Sequence, residues 1–354
     1  MSLPNFSSKT VMAALLFHKL RKHFRCLPVR HIQLSKILWH SCLTDKRVST
    51  PTVLGCMAYW RQIFEENDIP EPQHSAEYII AHVLRIKTFQ SMRSEQIFWP
   101  VSADQKDRIW QLCKKRLQRM PIQYVIEEWD FRELTLKMKP PVFIPRPETE
   151  ELVNLVLEEF SQSSYPGKNP TSIFLEVGCG SGALSISLLH SLPQSHAVAI
   201  DKSVDAIKLS LENAERLNVH TRAEILQLDI LTDAEELLLL LTQKYGLLDF
   251  IISNPPYVFQ EDFIHLAAEI LNYEDHGALN GGYDGMQVIK AILCLAPHVL
   301  KDCGKIFLEV DPRHPDMIQE WLQVQPSLGL DYIATIQDFC GKPRFCVLQK
   351  SMQM

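Results

Sequence analysis

The chain has 354 residues with a formal net charge of -6 at pH 7, and 46% of its residues are hydrophobic. This length and apolar content suffice for two packed domains of roughly 100 to 200 residues each. The nine cysteines include no C-x-x-C pair, which argues against a disulfide framework and a zinc site. No segment approaches the roughly 20 apolar residues that span a bilayer. We therefore expect a globular protein of a reducing compartment, with no bound metal and no membrane contact.

The first 44 residues carry seven Lys or Arg and no carboxylate, so the remaining chain is acidic, with 29 basic and 42 acidic residues. This leader places apolar residues at helical spacing between its cations, which is typical of an organellar transit peptide. A secretory signal is disfavoured because the apolar run "VMAALLF" is short and is followed at once by "HKLRKHF". We predict a mitochondrial transit peptide or a disordered leader over residues 1–48, and a protein of the mitochondrial matrix.

A helical pattern extends over residues 49–122. Three segments place apolar residues three and four positions apart, with prolines between them: "TVLGCMAYWRQIFEEN", "PQHSAEYIIAHVLRI" and "ADQKDRIWQLCKKRLQR". Next, "WDFRELTLKM" alternates apolar and polar residues, as a half-buried hairpin does. We predict a small helical domain, followed by a β-hairpin linker over residues 123–145.

From residue 146 to residue 354, β-rich runs alternate with helical patterns. A helix is expected to begin near Pro147, with acidic residues in its first turn where the helix dipole favours them. Near-continuous apolar runs, typical of a parallel sheet covered on both faces, follow at "SIFLEV", "HAVAI", "EILQLD", "LDFIIS" and "KIFLEV". Near the C-terminus, "DYIATI" and "RFCVLQ" are expected to close the sheet as a pair. The pattern predicts an α/β domain.

The segment "LEVGCGSGALSISLL" predicts a strand, a glycine-rich turn with Gly178, Gly180 and Gly182, and a helix. Glycine permits a tight turn and lets the backbone approach a ligand closely. Asp201 ends the next strand, where a carboxylate can accept hydrogen bonds from ribose hydroxyls. Asp229 ends the third strand and would border an adenine, although helix capping explains it equally well. The loop alone fits NAD and S-adenosylmethionine equally.

The fourth strand ends in "NPPY", at the edge where open α/β sheets bind their ligands. Pro255 and Pro256 lack backbone N–H groups but keep their carbonyl oxygens. The side-chain oxygen of Asn254 and the carbonyl of Pro255 would present two fixed acceptors, which match a planar NH2 group. Tyr257 adds a flat face for stacking, which also favours a nearby sulfonium cation. After the glycine loop and Asp201, this motif indicates methylation of a planar amine with S-adenosylmethionine.

At this point the sequence resembles the HemK-type peptide-chain-release-factor glutamine methyltransferases over about residues 50 to 350. The resemblance rests, in the family's order, on "PIQYVIEEWDF", "FIPRPETEEL", "LEVGCGSGALSISL", "ISNPPYV", "ALNGGYDGM" and "DFCGKPRF". It implies a seven-stranded Rossmann-like class I S-adenosylmethionine-dependent methyltransferase domain preceded by a small helical domain. It also implies N5-methylation of the glutamine side-chain amide in the Gly-Gly-Gln loop of translation release factors, with the helical domain docking the factor.

The resemblance assigns roles to individual residues of this sequence. The implied catalytic residues are Asn254, Pro255 and Tyr257, and the implied substrate-binding residues are Asn254, Pro255, Pro256 and Tyr257. The implied cofactor-binding residues are Gly178, Cys179, Gly180, Ser181, Gly182, Asp201, Asp229, Ile230 and Asn254. Further family signatures, which a helix start or plain turns would also explain, lie at Arg146, Pro147 and Glu148, at Gly281, Gly282, Asp284 and Gly285, and at Asp338, Gly341 and Arg344.

Two departures from the family pattern concern partner docking more than chemistry. Glu127 stands where family members commonly have glycine, and "LEVDPRHP" lacks a Gly and a Gln often found after that strand. The alternative function is that of a DNA adenine N6 amino-methyltransferase, in which Asn254 would hold a flipped base. Duplex binding depends on Lys and Arg contacts to phosphate, whereas this chain is acidic beyond its leader. We therefore expect mitochondrial release factors as partners and no direct binding of nucleic acid.

Overall fold

The computed structural model describes residues 51–163 and 172–352, and the leader predicted over residues 1–48 lies outside the described residues. The first part is helical: α1 (Val53–Glu66), α2 (Pro72–Leu84), α3 (Ala103–Leu117) and the short α4 (Ile122–Ile126). Thr52 caps α1 by accepting a hydrogen bond from the Gly55 N–H, and Ser102 forms a capping box with Gln105 at α3. The helical domain predicted before the sheet is present.

Aromatic and branched side chains fill the core of this helical domain. Trp60 packs against Trp110 with ring centroids 5.3 Å apart. The largest side chains below 2% exposure here are Trp60, Phe64, Ile79, Ile80 and Ile109. Each such side chain contributes roughly 1.5 to 3 kcal/mol when it is removed from water. The three amphipathic patterns of the sequence therefore converge on one core.

A hairpin follows α4, formed by β1 (Glu128–Phe131) and antiparallel β2 (Leu134–Lys137). Phe131 and Leu136 are buried in the same core as Phe174 of the sheet, so the hairpin belongs to the α/β domain by packing. Glu127 precedes the hairpin with φ of 62°, a left-handed conformation that glycine adopts without the cost borne by other residues. This explains why a glycine suits that position.

The α/β domain begins with α5 (Pro147–Ser163), which starts at the proline as expected. Its remaining elements alternate along the chain: β3 (Ile173–Val177), α6 (Ala183–Ser191), β4 (His196–Asp201), α7 (Val204–Arg216), β5 (Ala223–Gln227), α8 (Ala234–Lys244) and β6 (Leu248–Ser253). They continue with α9 (Ala268–Tyr273), α10 (Gln287–Val299), β7 (Leu300–Glu309), α11 (His314–Gln323), β8 (Leu330–Gln337) and β9 (Pro343–Lys350).

The sheet has seven strands in the order β5-β4-β3-β6-β7-β9-β8. The first five are parallel, and β9 runs antiparallel to both β7 and β8. Buried clusters cover both faces of the sheet, which explains why the parallel strands read as nearly continuous apolar runs. The predicted seven-stranded Rossmann-like sheet, preceded by a helical domain, is confirmed.

This strand order places the glycine loop and the NPPY turn side by side. β3 is central, with β4 on one side and β6 on the other, and such a switch in strand order opens a crevice at the carboxyl ends. Ser253 at the end of β6 donates a hydrogen bond of 2.6 Å to the carbonyl of Val177 at the end of β3. The segments that follow these two residues therefore leave the sheet at the same point.

The helical domain contacts the α/β domain beside this crevice. Arg116 and Arg119 lie 3.5 and 3.2 Å from Glu269 on α9, and the Tyr124 hydroxyl donates to the Val142 carbonyl at 2.5 Å. Within the described ranges, no helix is long and apolar enough to cross a bilayer. The helical domain is thus fixed next to the loop that leads into α5.

Candidate active site

A cavity opens at the carboxyl ends of the parallel strands. Together with the open solvent at its mouth, it spans about 950 Å³. Of the residues with predicted site roles, it is lined by Gly178, Cys179, Gly180, Ser181, Asp201, Asp229, Ile230, Asn254 and Pro256. The structure thus brings together residues from four strand ends. Gly182, Pro255 and Tyr257 do not line this cavity.

The glycine loop adopts the conformation that its sequence predicts. Gly178, Gly180 and Gly182 all have positive φ, of 77°, 53° and 82°. At Gly182 a Cβ atom would lie 2.5 Å from the Ser210 hydroxyl oxygen, whereas at Gly180 it would meet nothing within 4 Å. Gly182 therefore serves packing, and Gly180 leaves open space on the cavity side. Burial raises the pKa of the Cys179 thiol well above its usual value, so this cysteine is a poor nucleophile.

Asp201 lies beneath the glycine loop with both carboxylate oxygens in use. It accepts hydrogen bonds from the N–H groups of Gly180 at 2.9 Å and Ser203 at 2.8 Å. Burial raises its pKa, and these two donors partly offset the effect. Asp229 lines the cavity and also accepts a hydrogen bond from the Leu231 N–H at 2.9 Å. Its side chain thus holds the turn after β5, in the way that a capping residue does. It also borders the cavity beside Ile230.

Glu176, for which no motif predicts a role, also lines the cavity. It points off β3, is 1% exposed, and accepts a hydrogen bond from the Ser185 N–H at 3.0 Å. Burial raises the pKa of this carboxyl group to about 8. The sequence does contain a sign of this residue, because Glu176 is a single acid within the apolar run that forms β3. Burying a lone carboxyl group costs free energy, so such an acid often has a function.

Asn254 lines the cavity, and its side-chain nitrogen is the amide atom bonded to protein. Its Nδ2 group donates to the Thr149 hydroxyl oxygen at 3.1 Å, and Thr149 lies in the first turn of α5 and lines the cavity. Among the described residues, neither Asn254 Oδ1 nor the Pro255 carbonyl accepts a hydrogen bond. Pro255 itself is buried, and Pro256 reaches the cavity wall. The two predicted acceptors are therefore unoccupied by other protein groups.

Tyr257 is held from behind by its hydroxyl group, which donates to Glu309 Oε1 at 3.2 Å. Burial and the Glu309 charge raise the pKa of the tyrosine, so it stays neutral. Burial likewise raises the pKa of Glu309 to about 7, against the Thr149 hydroxyl, the Arg344 charge and the Tyr257 hydroxyl, which lower it. Tyr257, Thr149 and Glu309 thus form a buried polar cluster behind Asn254.

A glycine turn supports the NPPY backbone. A Cβ atom on Gly281 would lie 2.7 Å from the Pro256 carbonyl oxygen, and one on Gly285 would lie 2.6 Å from the Tyr257 carbonyl oxygen. Gly285 also has φ of 70°. Backbone therefore packs directly on backbone here, and side chains at these positions would displace the NPPY turn. This gives the signature at residues 281–285 a supporting function in the structure.

The outer wall of the cavity is formed by two loops that are joined through Arg146. Its guanidinium group donates to both carboxylate oxygens of Glu274, at 2.8 and 2.9 Å, and it stacks over the Phe143 ring at 4.6 Å. The Asp275 N–H donates to the Pro141 carbonyl at 2.7 Å. Phe143 and Asp275 both line the cavity, so this ion pair holds the wall in place.

Arg344 and Asp338 connect the β8–β9 turn to the buried cluster. Arg344 Nε lies 3.3 Å from Asp338 Oδ2, and its NH1 group donates to the Val310 carbonyl at 3.2 Å. Asp338 also accepts hydrogen bonds from the N–H groups of Cys340 and Lys342. These contacts are structural. Within the described ranges, no group of three His, Cys, Asp or Glu residues could hold a metal ion.

Comparison with known proteins identifies two domains and a family. The model of the PrmC N-terminal domain matches residues 56–126, and that of the methyltransferase small domain matches residues 135–281. The MTRF1L release factor glutamine methyltransferase of Homo sapiens is 52% identical over 301 residues, covering 85% of this chain and 88% of that protein. A release factor glutamine methyltransferase of Thermodesulfovibrio yellowstonii is 32% identical over 279 residues, covering 79% of this chain and 93% of that protein. The chain belongs to the release factor glutamine methyltransferase family.

Proposed function

We propose that this protein transfers a methyl group from S-adenosylmethionine to the side-chain nitrogen of the glutamine in the Gly-Gly-Gln loop of a mitochondrial release factor. The observation that carries the proposal is the Asn254 side chain, which lines the cavity, and whose nitrogen is bonded to Thr149 at 3.1 Å while its oxygen accepts no hydrogen bond from the described residues. An acceptor held in this way matches a substrate NH2 group. The family supports glutamine as the bearer of that group.

The residues that line the cavity support S-adenosylmethionine as the methyl donor. Bound there, this cofactor would supply a methyl group activated on a sulfonium ion. Asp201 would bind the ribose hydroxyls, Ile230 and Asp229 would border the adenine, and the open space at Gly180 would admit the remaining chain. Glu176, which burial keeps largely protonated near neutral pH, would line the same wall as a neutral polar group.

Asn254 and Pro255 would activate the glutamine by holding both hydrogens of its amide. An amide nitrogen is a poor nucleophile because its lone pair is delocalised into the carbonyl group. Two acceptors on its hydrogens shift electron density to nitrogen and aim the lone pair at the methyl carbon. Positioning of this kind can supply roughly 7 to 11 kcal/mol. The nitrogen is cationic once it is methylated and then releases one proton to solvent, so no strong base is needed beforehand.

The same acceptors would exclude glutamate. A carboxylate brings oxygen lone pairs against the oxygens of Asn254 and Pro255, so buried acceptors would remain unpaired at about 1 to 3 kcal/mol each. A Gly-Gly-Glu loop therefore makes the matched control substrate. It differs from the natural loop in one side-chain group only.

The helical domain supports the proposed release-factor partner, and the leader supports the proposed mitochondrial location. We propose residues 49–122 as the docking domain, because Arg116 and Arg119 fix it beside the cavity mouth through Glu269. Residues 123–145 would link it to a catalytic domain over residues 146–354. The basic, acid-free leader supports import into the mitochondrial matrix.

The test is methyl transfer from labelled S-adenosylmethionine by the full chain. A recombinant mitochondrial release factor should gain one methyl group, and mass analysis should place it on the glutamine of the Gly-Gly-Gln peptide. The Gly-Gly-Glu variant should gain none. Label in adenine of duplex DNA, with none in the release factor, would overturn the proposal in favour of a DNA amino-methyltransferase. A reporter fused to residues 1–48 should enter mitochondria, and a cytosolic signal would contradict the proposed location.

A further inference from the structure

A second groove lies where the helical domain meets the hairpin and the loop that leads into α5. We call it the α2 groove, and its walls include Glu71, Glu77, Tyr78, Trp129 and Pro145. Pro145 also lines the cavity described above, so the two concave sites are neighbours. A protein substrate whose glutamine enters the cavity would therefore pass its adjoining chain close to the α2 groove.

The α2 groove contains carboxylates that no basic side chain pairs with. Glu77 is 6% exposed, and its two oxygens accept hydrogen bonds of 2.8 Å from the neutral amides of Gln73 and Gln90. Glu71 stands at the N-cap of α2 and lines the groove as well. Within the described ranges, neither carboxylate forms an ion pair with Lys, Arg or His. Buried acids are usually paired with a cation, so the groove lacks a matching positive charge.

The basic side chains nearby do not supply that charge. Arg146 lines the groove, but its guanidinium group is bound to both carboxylate oxygens of Glu274. His74 also lines the groove and is exposed to solvent. The charge of Arg116 reaches the N-cap carboxylate of α2, yet Arg116 does not line the groove and pairs with Glu269 at 3.5 Å. The α2 groove therefore remains negative.

Aromatic rings stand beside these carboxylates. The rings of Tyr78 and Trp129 have centroids 5.2 Å apart and are tilted by 55°, and Tyr78 is 38% exposed. Burial raises the pKa of the Tyr78 hydroxyl, and so do the charges of Glu71, Asp130 and Glu77. Three carboxylates thus surround one aromatic wall. A cation is attracted both by carboxylates and by the face of an aromatic ring, so this combination favours a Lys or Arg side chain.

We propose that the α2 groove binds a Lys or Arg side chain of the release factor, on the stretch of chain that flanks its glutamine loop. A translation factor works against ribosomal RNA, and surfaces that contact RNA phosphates are rich in Lys and Arg. This chain beyond its leader has 29 basic and 42 acidic residues, so its charge complements such a partner. This inference rests on the proposed function and names the contact by which the helical domain would recognise its substrate.

The first test compares Glu71→Gln/Glu77→Gln with Glu65→Gln/Glu66→Gln in the full chain. Both variants remove two carboxylates from the helical domain, but the control residues are exposed on α1 and do not line the groove. In the groove variant, KM for the release factor should rise by roughly 10-fold with kcat within about twofold, because the contact is the same in ground and transition states. Equal KM values for the two variants would overturn the proposal.

The second test finds the partner's cation by coupling. Each Lys and Arg near the Gly-Gly-Gln loop of the release factor is replaced by Gln in turn and assayed with the wild-type enzyme and with Glu77→Gln. One replacement should raise KM by roughly 10-fold with the wild type but by less than about twofold with Glu77→Gln, because its carboxylate partner is already absent. If every replacement had the same effect on both enzymes, Glu77 would serve the helical domain alone and the proposal would fail.

Two further results keep the outcome unambiguous. If the variants of Glu77 do not fold, as shown by their thermal unfolding, Glu71→Gln decides, because Glu71 is exposed and its side chain caps nothing. It should raise KM by about threefold, and an unchanged KM would contradict the inference. A wild-type protein that methylates no release factor would instead refute the proposed function itself.

Discussion

The two halves of the cavity are built in different ways. In the half assigned to the cofactor, the polar contacts span short stretches of chain, from Asp201 with Ser203 to Asp201 with Gly180, 21 positions away. In the half assigned to the substrate, Asn254 depends on Thr149, 105 positions away, and Tyr257 depends on Glu309, 52 positions away. Three strands that are consecutive in the chain, β3 to β5, suffice for the first half. The second half exists only once three distant segments have packed together.

Asn254→Ala should separate the two halves most sharply. Removing the acceptor should lower methyl transfer by roughly 10³-fold, about 4 kcal/mol of transition-state stabilisation. Because the glycine loop and Asp201 are untouched, the affinity for S-adenosylmethionine should stay within about threefold. Single-turnover kinetics and titration calorimetry measure the two quantities.

The matched control for this variant is Gln243→Ala, which removes an exposed amide on α8 away from the cavity and should change neither quantity. If Asn254→Ala lost cofactor affinity in parallel with activity, Asn254 would belong to the cofactor half and the distinction would fail.

Gly182→Ala tests the local construction of the cofactor half. The new Cβ would lie 2.5 Å from the Ser210 hydroxyl oxygen and 2.8 Å from Ile186 Cδ1, at a φ of 82°. Backbone strain and overpacking together should reduce the free energy of unfolding by about 3 kcal/mol. Cofactor affinity should fall with it, measured by denaturant unfolding and calorimetry.

Gly246→Ala is the control for Gly182→Ala, because Gly246 has φ of 72° but nothing within 4 Å of its added Cβ. It should cost only about 1 kcal/mol, with cofactor affinity intact. Equal destabilisation by both substitutions would show that crowding beneath the loop contributes nothing.

This difference in construction explains what the sequence could and could not predict. The parallel strands, the glycine turn, Asp201 and NPPY follow from local patterns of apolar residues, glycine and proline. Thr149 gave no signal, because a threonine in the first turn of a helix is unremarkable until β6 and β7 pack against it. Tyr257 was expected to offer a stacking face, yet its hydroxyl is bound to Glu309 and it does not line the cavity. That contact depends on the pairing of β6 with β7, which no local pattern specifies.

Arg146→Ala should affect both halves together, because the wall it holds borders both. The substitution leaves the buried Glu274 carboxylate with the Ile144 N–H at 3.3 Å as its remaining donor. Arg146 is partly exposed, so we expect a loss of about 2 kcal/mol in the free energy of unfolding, below the usual value for a fully buried pair. Cofactor affinity and methyl transfer should fall in proportion.

The control for Arg146→Ala is Arg61→Ala, which breaks an exposed pair with Glu65 at 3.4 Å and should cost under about 0.5 kcal/mol. A variant of Arg146 that lost transfer but kept cofactor affinity would mean that the wall serves the substrate half alone.

Glu176→Gln isolates the cost of placing a carboxylate in the cofactor half. Burial raises the pKa of Glu176 from 4.5 to about 8 in the folded protein, so the folded state holds a proton that the unfolded chain releases. Wild-type stability therefore falls as the pH rises from about 4.5 to about 8, and levels off above that range. Glutamine keeps an acceptor for the Ser185 N–H and carries no charge that burial would penalise.

Between pH 6 and pH 8, the free energy of unfolding of the variant should therefore rise by about 1 to 2 kcal/mol relative to that of the wild type. Urea unfolding at each pH measures this difference. If the difference in free energy of unfolding between the variant and the wild type stayed constant from pH 6 to pH 8, the charge of Glu176 would cost the folded protein nothing. The cofactor half would then contain no acid that lowers stability.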